Sequence, residues 1–520
     1  MLKLINNQGF KWINQNKIWF KGHIFKGNHL RSVETIYTEL GLIDEMDGFK
    51  KWLKSTNGCF SVVFEKNESI FAAVDSIRSL PLFYSIVNGQ LVITDNPVQV
   101  FSSSSRFSSD ACIELESAAY VTGKQTLFEG VLQLQAGEYL FFQNNQLITG
   151  YYTDINFNLI STSGINDLKQ QLNKTLDHSF TKLLNSVKDK QVVVPLSGGY
   201  DSRLIALMLK KMGHSNIITF TYGRNGSFEL ENSKKTAETL NLPWIFIDYN
   251  NALINNYLQD DTFKKYIHFA GKASSMFYMQ DYFAVKYLHD NKLIEKDAVF
   301  VPGHSGDVIA GSHLRETLSY TKNRKPILNQ IYSATFNQNN SPKSRKYFFG
   351  LIDSFIKNMQ TYKFGYQAFE HWDYIERQAK FVVNSASVFD YFGYEYRLPY
   401  WDLELVDFFR TVPFEHKIYK KLYNSVLEDI YFRPNQLHFK KEIQASAFQV
   451  KKQQIKNKIK PLLPNTLKLR YLEKNDWMAY SLITKEMLVD LKNRDVKYKF
   501  KADVYNSIIS KWYVESFKDC

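Results

Sequence analysis

Apolar residues fall in short runs over the first 155 positions, among them Lys17-Ile-Trp-Phe-Lys-Gly-His-Ile-Phe, Cys59-Phe-Ser-Val-Val-Phe and Glu138-Tyr-Leu-Phe-Phe. Asn-, Gly- and Lys-bearing turns separate them, a pattern that predicts antiparallel strands. Asn57-Gly58, Asn88-Gly89 and Asn144-Asn145 each sit between β-forming segments and predict hairpin turns. After Tyr152 the chain turns polar through Asn156, Ser161, Thr162, Ser163 and Gly164, and a helical period starts near Asp167. A boundary is expected there, dividing the chain into residues 1–160 and 161–520.

From Gln191 the rhythm changes. An apolar strand, Val192-Val-Val-Pro195-Leu196, runs through a Gly-rich turn into a helical pattern at Leu204, Ile205, Leu207, Met208 and Leu209. Strands at Ile217 to Tyr222 and Trp244 to Asp248 follow, with a helix around Lys234 to Leu240 between them, and Ala298-Val-Phe-Val-Pro again leads into a Gly-rich turn. Strand and helix in alternation predict a parallel α/β sheet. Residues 320–520 read as mainly helical, without a repeat.

Composition narrows the classes. At 44% apolar and 22% charged the chain is globular, and a long polar disordered polymer is excluded. Three cysteines, Cys59, Cys112 and Cys520, show no CxxC or Cys/His spacing, which argues against a disulfide framework or a zinc site. The first residues lack the apolar stretch of a signal peptide, and no run approaches the roughly 18 apolar residues of a membrane span. A cytoplasmic protein without a membrane partner is expected. The 65 Lys+Arg against 52 Asp+Glu leave a net +13, compatible with a nucleic acid, a membrane surface or an anionic substrate.

The turn after the first parallel strand reads Ser197-Gly198-Gly199-Tyr200-Asp201-Ser202. A Gly-rich turn that opens a helix aims main-chain N–H groups at an anion from the positive end of the helix dipole. Leu196 to Ser202 are therefore candidate nucleotide- or pyrophosphate-binding residues, with Ser197 and Ser202 as added donors. An aspartate inside a phosphate cradle repels its ligand unless a cation intervenes, so Asp201 is a candidate Mg²⁺ ligand. The alternative is an ordinary turn with an Asp cap. Neither the Walker lysine nor GxGxxG is present.

Ser197-Gly-Gly-Tyr-Asp-Ser resembles the SGGxDS loop of the asparagine synthetase family, which also includes β-lactam synthetases and lasso-peptide cyclases. Gly303-His304-Ser-Gly306-Asp307-Val-Ile-Ala-Gly311 resembles the family's second Gly-rich loop, and Tyr394-Glu-Tyr-Arg397-Leu-Pro399-Tyr-Trp-Asp402 through Phe408 its ExRxPFLD segment. Gly58 to Phe64, Asp75 to Tyr84 and Leu91 to Asp95 resemble the glutaminase domain that precedes the ligase domain in asparagine synthetase. The resemblance implies an antiparallel, Ntn-hydrolase-like first domain and a parallel-sheet, adenine nucleotide alpha hydrolase-like (PP-loop) second domain with a helical C-terminal part. It also implies ATP and Mg²⁺, with Asp201 and Asp307 as metal ligands, Gly303 and Gly306 near the pyrophosphate, and adenine along Thr221-Tyr222-Gly223.

Two departures qualify this. The family's glutaminase nucleophile is a cysteine directly after the initiator methionine, and this chain has Leu2. Cys59 lies within an apolar β run, where an inert thiol is expected. The first domain is therefore expected to lack glutaminase activity, with ammonia or another amine arriving free or from a separate glutaminase. In the second loop His304 stands where asparagine synthetases have a glutamate, either as a general base or as a loop hydrogen-bonder. The family's phosphate-facing lysine corresponds to Lys417, Lys420 or Lys421, and spacing favours Lys420.

The expected activity is adenylation of aspartate or a related small-molecule or peptide carboxylate, followed by amide formation. Amidation of a uronic acid in surface polysaccharide assembly and lasso-type macrocyclisation are the alternatives within the class. An inactive scaffold and a tRNA-binding PP-loop protein are the alternatives outside it. Residues 417–470 hold thirteen Lys/Arg and three Asp/Glu, so most of the +13 is local. That excess is read as complementing ATP and pyrophosphate, and nucleic acid as the less favoured partner. A homodimer is left open.

Overall fold

The computed structural model describes residues 1–100, 106–153, 159–336, 342–358, 362–439, 472–473, 476–497 and 504–517. Lys440-Lys441, Lys451-Lys452 and the rest of the basic stretch after Phe439, as well as Cys520, lie outside the described residues.

Residues 2–151 build two sheets. A four-stranded one runs in the order Leu2–Lys3, Gln90–Thr94, Phe83–Val87, Leu132–Gln133, with its first pair parallel and the others antiparallel. A seven-stranded antiparallel sheet runs Gln146–Tyr151, Glu138–Gln143, Ser69–Val74, Asn57–Lys66, Ile18–Lys26, Ile13–Gln15, and His29–Leu30 also pairs with Ile18–Lys26. Aromatic and branched side chains on the seven-stranded sheet, among them Phe20, Phe60, Phe64 and Phe71, pack against Val33–Gly41 and Met46–Lys54, two helices the β-run pattern does not predict.

The turn residues act through φ. Asn88 and Gly89, at φ 50° and 77°, close the hairpin between Phe83–Val87 and Gln90–Thr94, and Asn144 and Asn145 close the next predicted one at 51° and 59°. Asn57-Gly58 is a correction. It lies inside the strand Asn57–Lys66, where Gly58 (φ 149°) faces Ile24 and a Cβ would strike the carbonyl oxygen of His23. The glycine there serves close backbone approach rather than a turn.

The second half is an α/β layer structure. Five parallel strands run in the order Trp244–Asp248, Ile217–Gly223, Val192–Pro195, Val299–Phe300, Glu395–Tyr396. Val192 and Val194 face a core with the helices Ile165–Ser186 and Tyr200–Lys211, while Val193 faces the opposite one, so both faces of the central strand are covered. The rest of the described chain is mainly helical, including a π-helical stretch, Asp373–Val382.

One hydrophobic core runs through both halves, joining Phe10, Cys59, Ile77 and Leu80 to Phe300, Tyr396 and Trp401. Two tyrosines fasten the seam: Tyr374 donates to the Ser76 carbonyl at 2.8 Å and Tyr396 to that of Ser79 at 3.0 Å. That turn is itself organised by Asp75, whose carboxylate accepts the N–H groups of Phe60, Ile77 and Ser79.

Candidate active site

The strand order reverses at Val192–Pro195. From there the chain builds outward through two strands on one side and then returns to build Val299–Phe300 and Glu395–Tyr396 on the other. The loops after Val192–Pro195 and Val299–Phe300 flank this switch point, the place where open parallel sheets bind ligands.

The first loop owes its shape to two glycines and an arginine. Gly198 sits at φ 75°, and a Cβ there would strike the Glu229 carbonyl oxygen. Gly199 caps the helix Tyr200–Lys211 and brings no side-chain acceptor to its first turn, which suits an external anion. Ser202 Oγ accepts from the Ser197 N–H at 3.1 Å and lies 3.1 Å from Ser197 Oγ. The Leu196 carbonyl accepts from the Thr221 hydroxyl at 2.7 Å. Buried Arg203 donates to the carbonyls of Gly198, at 2.7 Å, and Leu437, at 2.9 Å, with its guanidinium over the rings of Tyr200, Phe432 and Phe439. Nothing in the SGGYDS pattern singles out this brace.

The second loop meets the first at Asp201. The Asp307 N–H donates to Asp201 Oδ2 at 2.8 Å. That approach depends on glycines, since a Cβ on Gly306 would lie 2.8 Å from the Asp201 carboxyl carbon and one on Gly303 2.8 Å from the Ser202 nitrogen. Two tyrosines that sequence reasoning missed complete the setting: Tyr423 donates to Asp201 Oδ1 at 2.9 Å and Tyr400 to the Asp201 carbonyl at 2.7 Å. Both belong to segments already singled out, one beside the lysine cluster and one inside Leu398-Pro-Tyr-Trp-Asp. Burial and then the Asp307 charge push Asp201 up to about 7, against the pull of the Asp307 N–H, Tyr423 and Lys420.

Of the three lysines, Lys420 is the one whose charge acts on Asp201. It caps the helix Lys421–Val426 in the left-handed region at φ 59°, directly after Tyr419 at the same φ. Two successive non-glycine residues in that conformation store backbone strain, a feature concentrated at functional sites. Lys417 is buried in an ion pair with Glu370, and Lys421 is exposed. His304 points one ring nitrogen at Ser385, with Nε2 3.4 Å from Oγ, while Nδ1 has no partner among the described residues. Burial lowers its pKa to about 4, so the imidazole is neutral near pH 7.

Two of the expected binding residues are committed elsewhere. The Tyr200 hydroxyl donates to Glu428, and its ring packs edge-on against Phe432. Tyr222 donates to Asp281 at 2.5 Å and stacks on Tyr249. The neighbouring Gly223 is covered by the Trp477 carbonyl, which accepts from the Arg224 N–H at 2.7 Å.

Beside the second loop lies a small cleft lined by Val308, Ile309, Phe369, Tyr374 and Trp401, with Glu370, Lys417 and Arg410 among its polar groups. The aromatic segment Phe364 to Tyr374 otherwise packs into the core. Among the described residues no group of three or more His, Cys, Asp or Glu is placed to hold a metal by itself. No helix among them is long and apolar enough to cross a membrane.

Residues 171–503, more than half of the chain, match the family model of asparagine synthase. The chain belongs to the asparagine synthase family. At the family level this makes it an ATP-dependent ligase that forms amide bonds. No curated protein matches the sequence. Among solved structures, an NH3-dependent NAD synthetase from Campylobacter jejuni subsp. jejuni NCTC 11168 is 15% identical, over 38% of this chain and 84% of that one, with a TM-score of 0.20. Glutamine phosphoribosylpyrophosphate amidotransferase from B. subtilis is 10% identical, over 46% and 73%, also at 0.20. Likenesses this slight add nothing to the family assignment.

Proposed function

We propose that this asparagine synthase-family chain adenylates a carboxylate with ATP and then passes the acyl group to an amine that it does not itself release from glutamine. The observation that carries this reading is the junction of the two loops at the strand-order reversal, where Asp201, Asp307 and Lys420 converge beside a glycine cradle.

The residues suit ATP with Mg²⁺. Asp201 is held up to about 7 by burial and the Asp307 charge even with Lys420 acting on it, so a further cation would be stabilised there. Asp201 and Asp307 would hold the ion, and with only two carboxylates its other ligands would be phosphate oxygens and water. When bound, the ion supplies charge neutralisation to the triphosphate.

The first loop and the helix Tyr200–Lys211 bind and orient the pyrophosphate portion, while Lys420 offsets its charge. The substrate carboxylate attacks the α-phosphorus, forming the acyl-adenylate and releasing pyrophosphate. The amine then attacks the acyl carbon, AMP departs with the bonding electron pair, and the proton lost by the amine passes to His304 Nδ1. Its Nδ1 is uncommitted and the imidazole neutral, which leaves it free to accept, while burial that lowers its pKa to about 4 makes it a weak base. The cleft behind Val308 and Ile309 is the reading for the acceptor or amine pocket.

Loss of glutaminase activity is supported at the N-terminus. Leu2 pairs with Ile93 in the sheet, and the terminal amine donates to the Leu91 carbonyl at 2.6 Å. Cys59 is buried, and that burial pushes its thiol pKa up, so it offers no thiolate in its place. The division into a silent first domain, 1–160, and a ligase domain, 161–520, is part of this reading.

ATP–pyrophosphate exchange over a panel of aspartate, uronic acids and peptides tests it. Exchange supported by one acid and lost in Asp201→Asn is the expected result. ATP binding without exchange for any acid would leave a scaffold, and glutamate release from glutamine would overturn the silent first domain.

A further inference from the structure

The helix Pro342–Asn358 borders a groove of about 810 Å³ that the ligase reaction does not use. Thr122, Gly123, Trp372 and Glu376 form its opposite side. The helix Gly365–Trp372 and the π-helical stretch after it separate this groove from the cleft beside the second loop: Glu370, Asp373 and Gln378 line the cleft, whereas Trp372 and Glu376 line the groove.

Its floor is apolar at helical spacing. Tyr347, Leu351 and Phe355 recur every fourth residue, each half-buried against the core of the helical layer. Phe355 packs edge-on against Trp372 with ring centres 5.0 Å apart. The groove stays open because glycines stand where side chains would fill it, and a Cβ added at Gly123 or Gly350 would meet nothing within 4 Å.

The rim is positive. Lys343 and Lys346 are exposed and form no ion pair among the described residues. They belong to a span, 317–352, that holds six Lys/Arg and no Asp/Glu. The carboxylate among the lining residues, that of Glu376, does not oppose them: it is 4% exposed, pairs with Lys380 at 2.7 Å and accepts the Gly123 N–H at 3.0 Å. The basic stretch after Phe439 has the rim's own sign and is no complement to it.

A volume of this size is that of a ligand site, and an apolar floor between unpaired cations suits a chain that carries both apolar and acidic side chains. From Lys343 to Phe355 the helix rises about 18 Å, a distance that an extended segment of about five residues spans. We propose that the groove docks an acidic, apolar segment of a peptide substrate, away from the group that reacts. That the docked peptide is the ligase substrate rests on the ligase reading; the docking itself does not.

Fluorescence anisotropy on the full-length protein, without ATP, tests this with a fluorescein-labelled peptide in which glutamate alternates with leucine and phenylalanine. The peptide should bind, and combining Lys343→Glu with Lys346→Glu should weaken binding roughly tenfold or more. Gly350→Gln adds bulk in the groove where a helix favours a side chain, and should weaken it as well. Absence of binding would overturn the proposal, as would binding that survives either change. Oligoglutamate, polygalacturonate or single-stranded DNA binding as tightly as the peptide would also overturn it, leaving a general polyanion surface. Because no turnover is read, a failed pyrophosphate exchange and an empty groove are separate results.

Discussion

The main-chain N–H of Asp307 donates to the carboxylate of Asp201 at 2.8 Å, so one loop is held to the other by the same group expected to hold a cation. The two aspartate side chains repel each other, while the Asp307 main-chain N–H attracts the Asp201 carboxylate. A cation would resolve that conflict, which makes the site sensitive to pH and to metal in ways that can be measured.

Asp201 has a folded pKa of about 7 against an ordinary 3.8. The folded state therefore keeps a proton that the unfolded state releases, giving stability that is fully present below about pH 4 and lost as pH rises through 7. Asp201→Asn should stabilise the ligand-free protein at pH 8, by on the order of 2 kcal/mol, and leave it nearly unchanged at pH 4. Thermal midpoints at the two pH values check this, and equal midpoints at pH 8 would contradict it. Added Mg²⁺ should raise the wild-type midpoint at pH 8 and not that of the variant.

Tyr423→Phe removes a donor that favours the charged carboxylate. The inflection assigned to Asp201 should move to higher pH, followed by carboxyl-resolved NMR titration. An inflection that stays or moves down would rule out the bond as a determinant.

Gly306→Ala places a methyl group against the Asp201 carboxyl carbon. The second loop must back away, and a displacement of about 1 Å at a reacting centre costs roughly 100-fold in rate. Pyrophosphate exchange should fall by that order, with the circular dichroism spectrum retained. Unchanged exchange would mean that the loops need not touch.

Lys417 and Lys420 should separate cleanly. Lys417→Met leaves Glu370 buried without its partner and should destabilise the protein by about 3 kcal/mol, seen in urea denaturation. Lys420→Met should spare stability and lower the exchange rate. The reverse assignment of defects would transfer the phosphate-facing role to Lys417.

His304→Gln should leave pyrophosphate exchange in place and slow amide formation by roughly 100-fold or more. Because the imidazole is neutral above about pH 4, the wild-type amide-forming step should show no His304-dependent rise between pH 5 and 8. Rapid-quench separation of the two steps distinguishes this from a loop-supporting role, in which both would slow together.

The alternation of apolar strands and helices from Val192 to Val301 was enough to read a parallel sheet, and the glycine pairs marked both loops. The reversal of strand order, which brings those loops side by side, leaves no trace in any local window, because it depends on where Val299–Phe300 pairs. Tyr400 and Tyr423 reach Asp201 across 199 and 222 residues, and a buried tyrosine beside a carboxylate looks in sequence like any core aromatic. Asn57-Gly58 misled for a related reason: the dipeptide encodes permission for positive φ, not the purpose to which the fold puts it. Leu2 and Cys59 bear on the proposed silence of the first domain because glutaminase chemistry demands one thiol at one place.

Tyr374 and Tyr396 give the first half of the chain a mechanical meaning. Their hydroxyls end on the turn at Ser76 and Ser79, and the core they belong to continues through Phe10 and Leu80. Excising the first 160 residues would strip one wall from that core and leave two buried phenols facing solvent. The first half is thus a wall of the ligase core, needed for that core's integrity whether or not it carries out a reaction of its own.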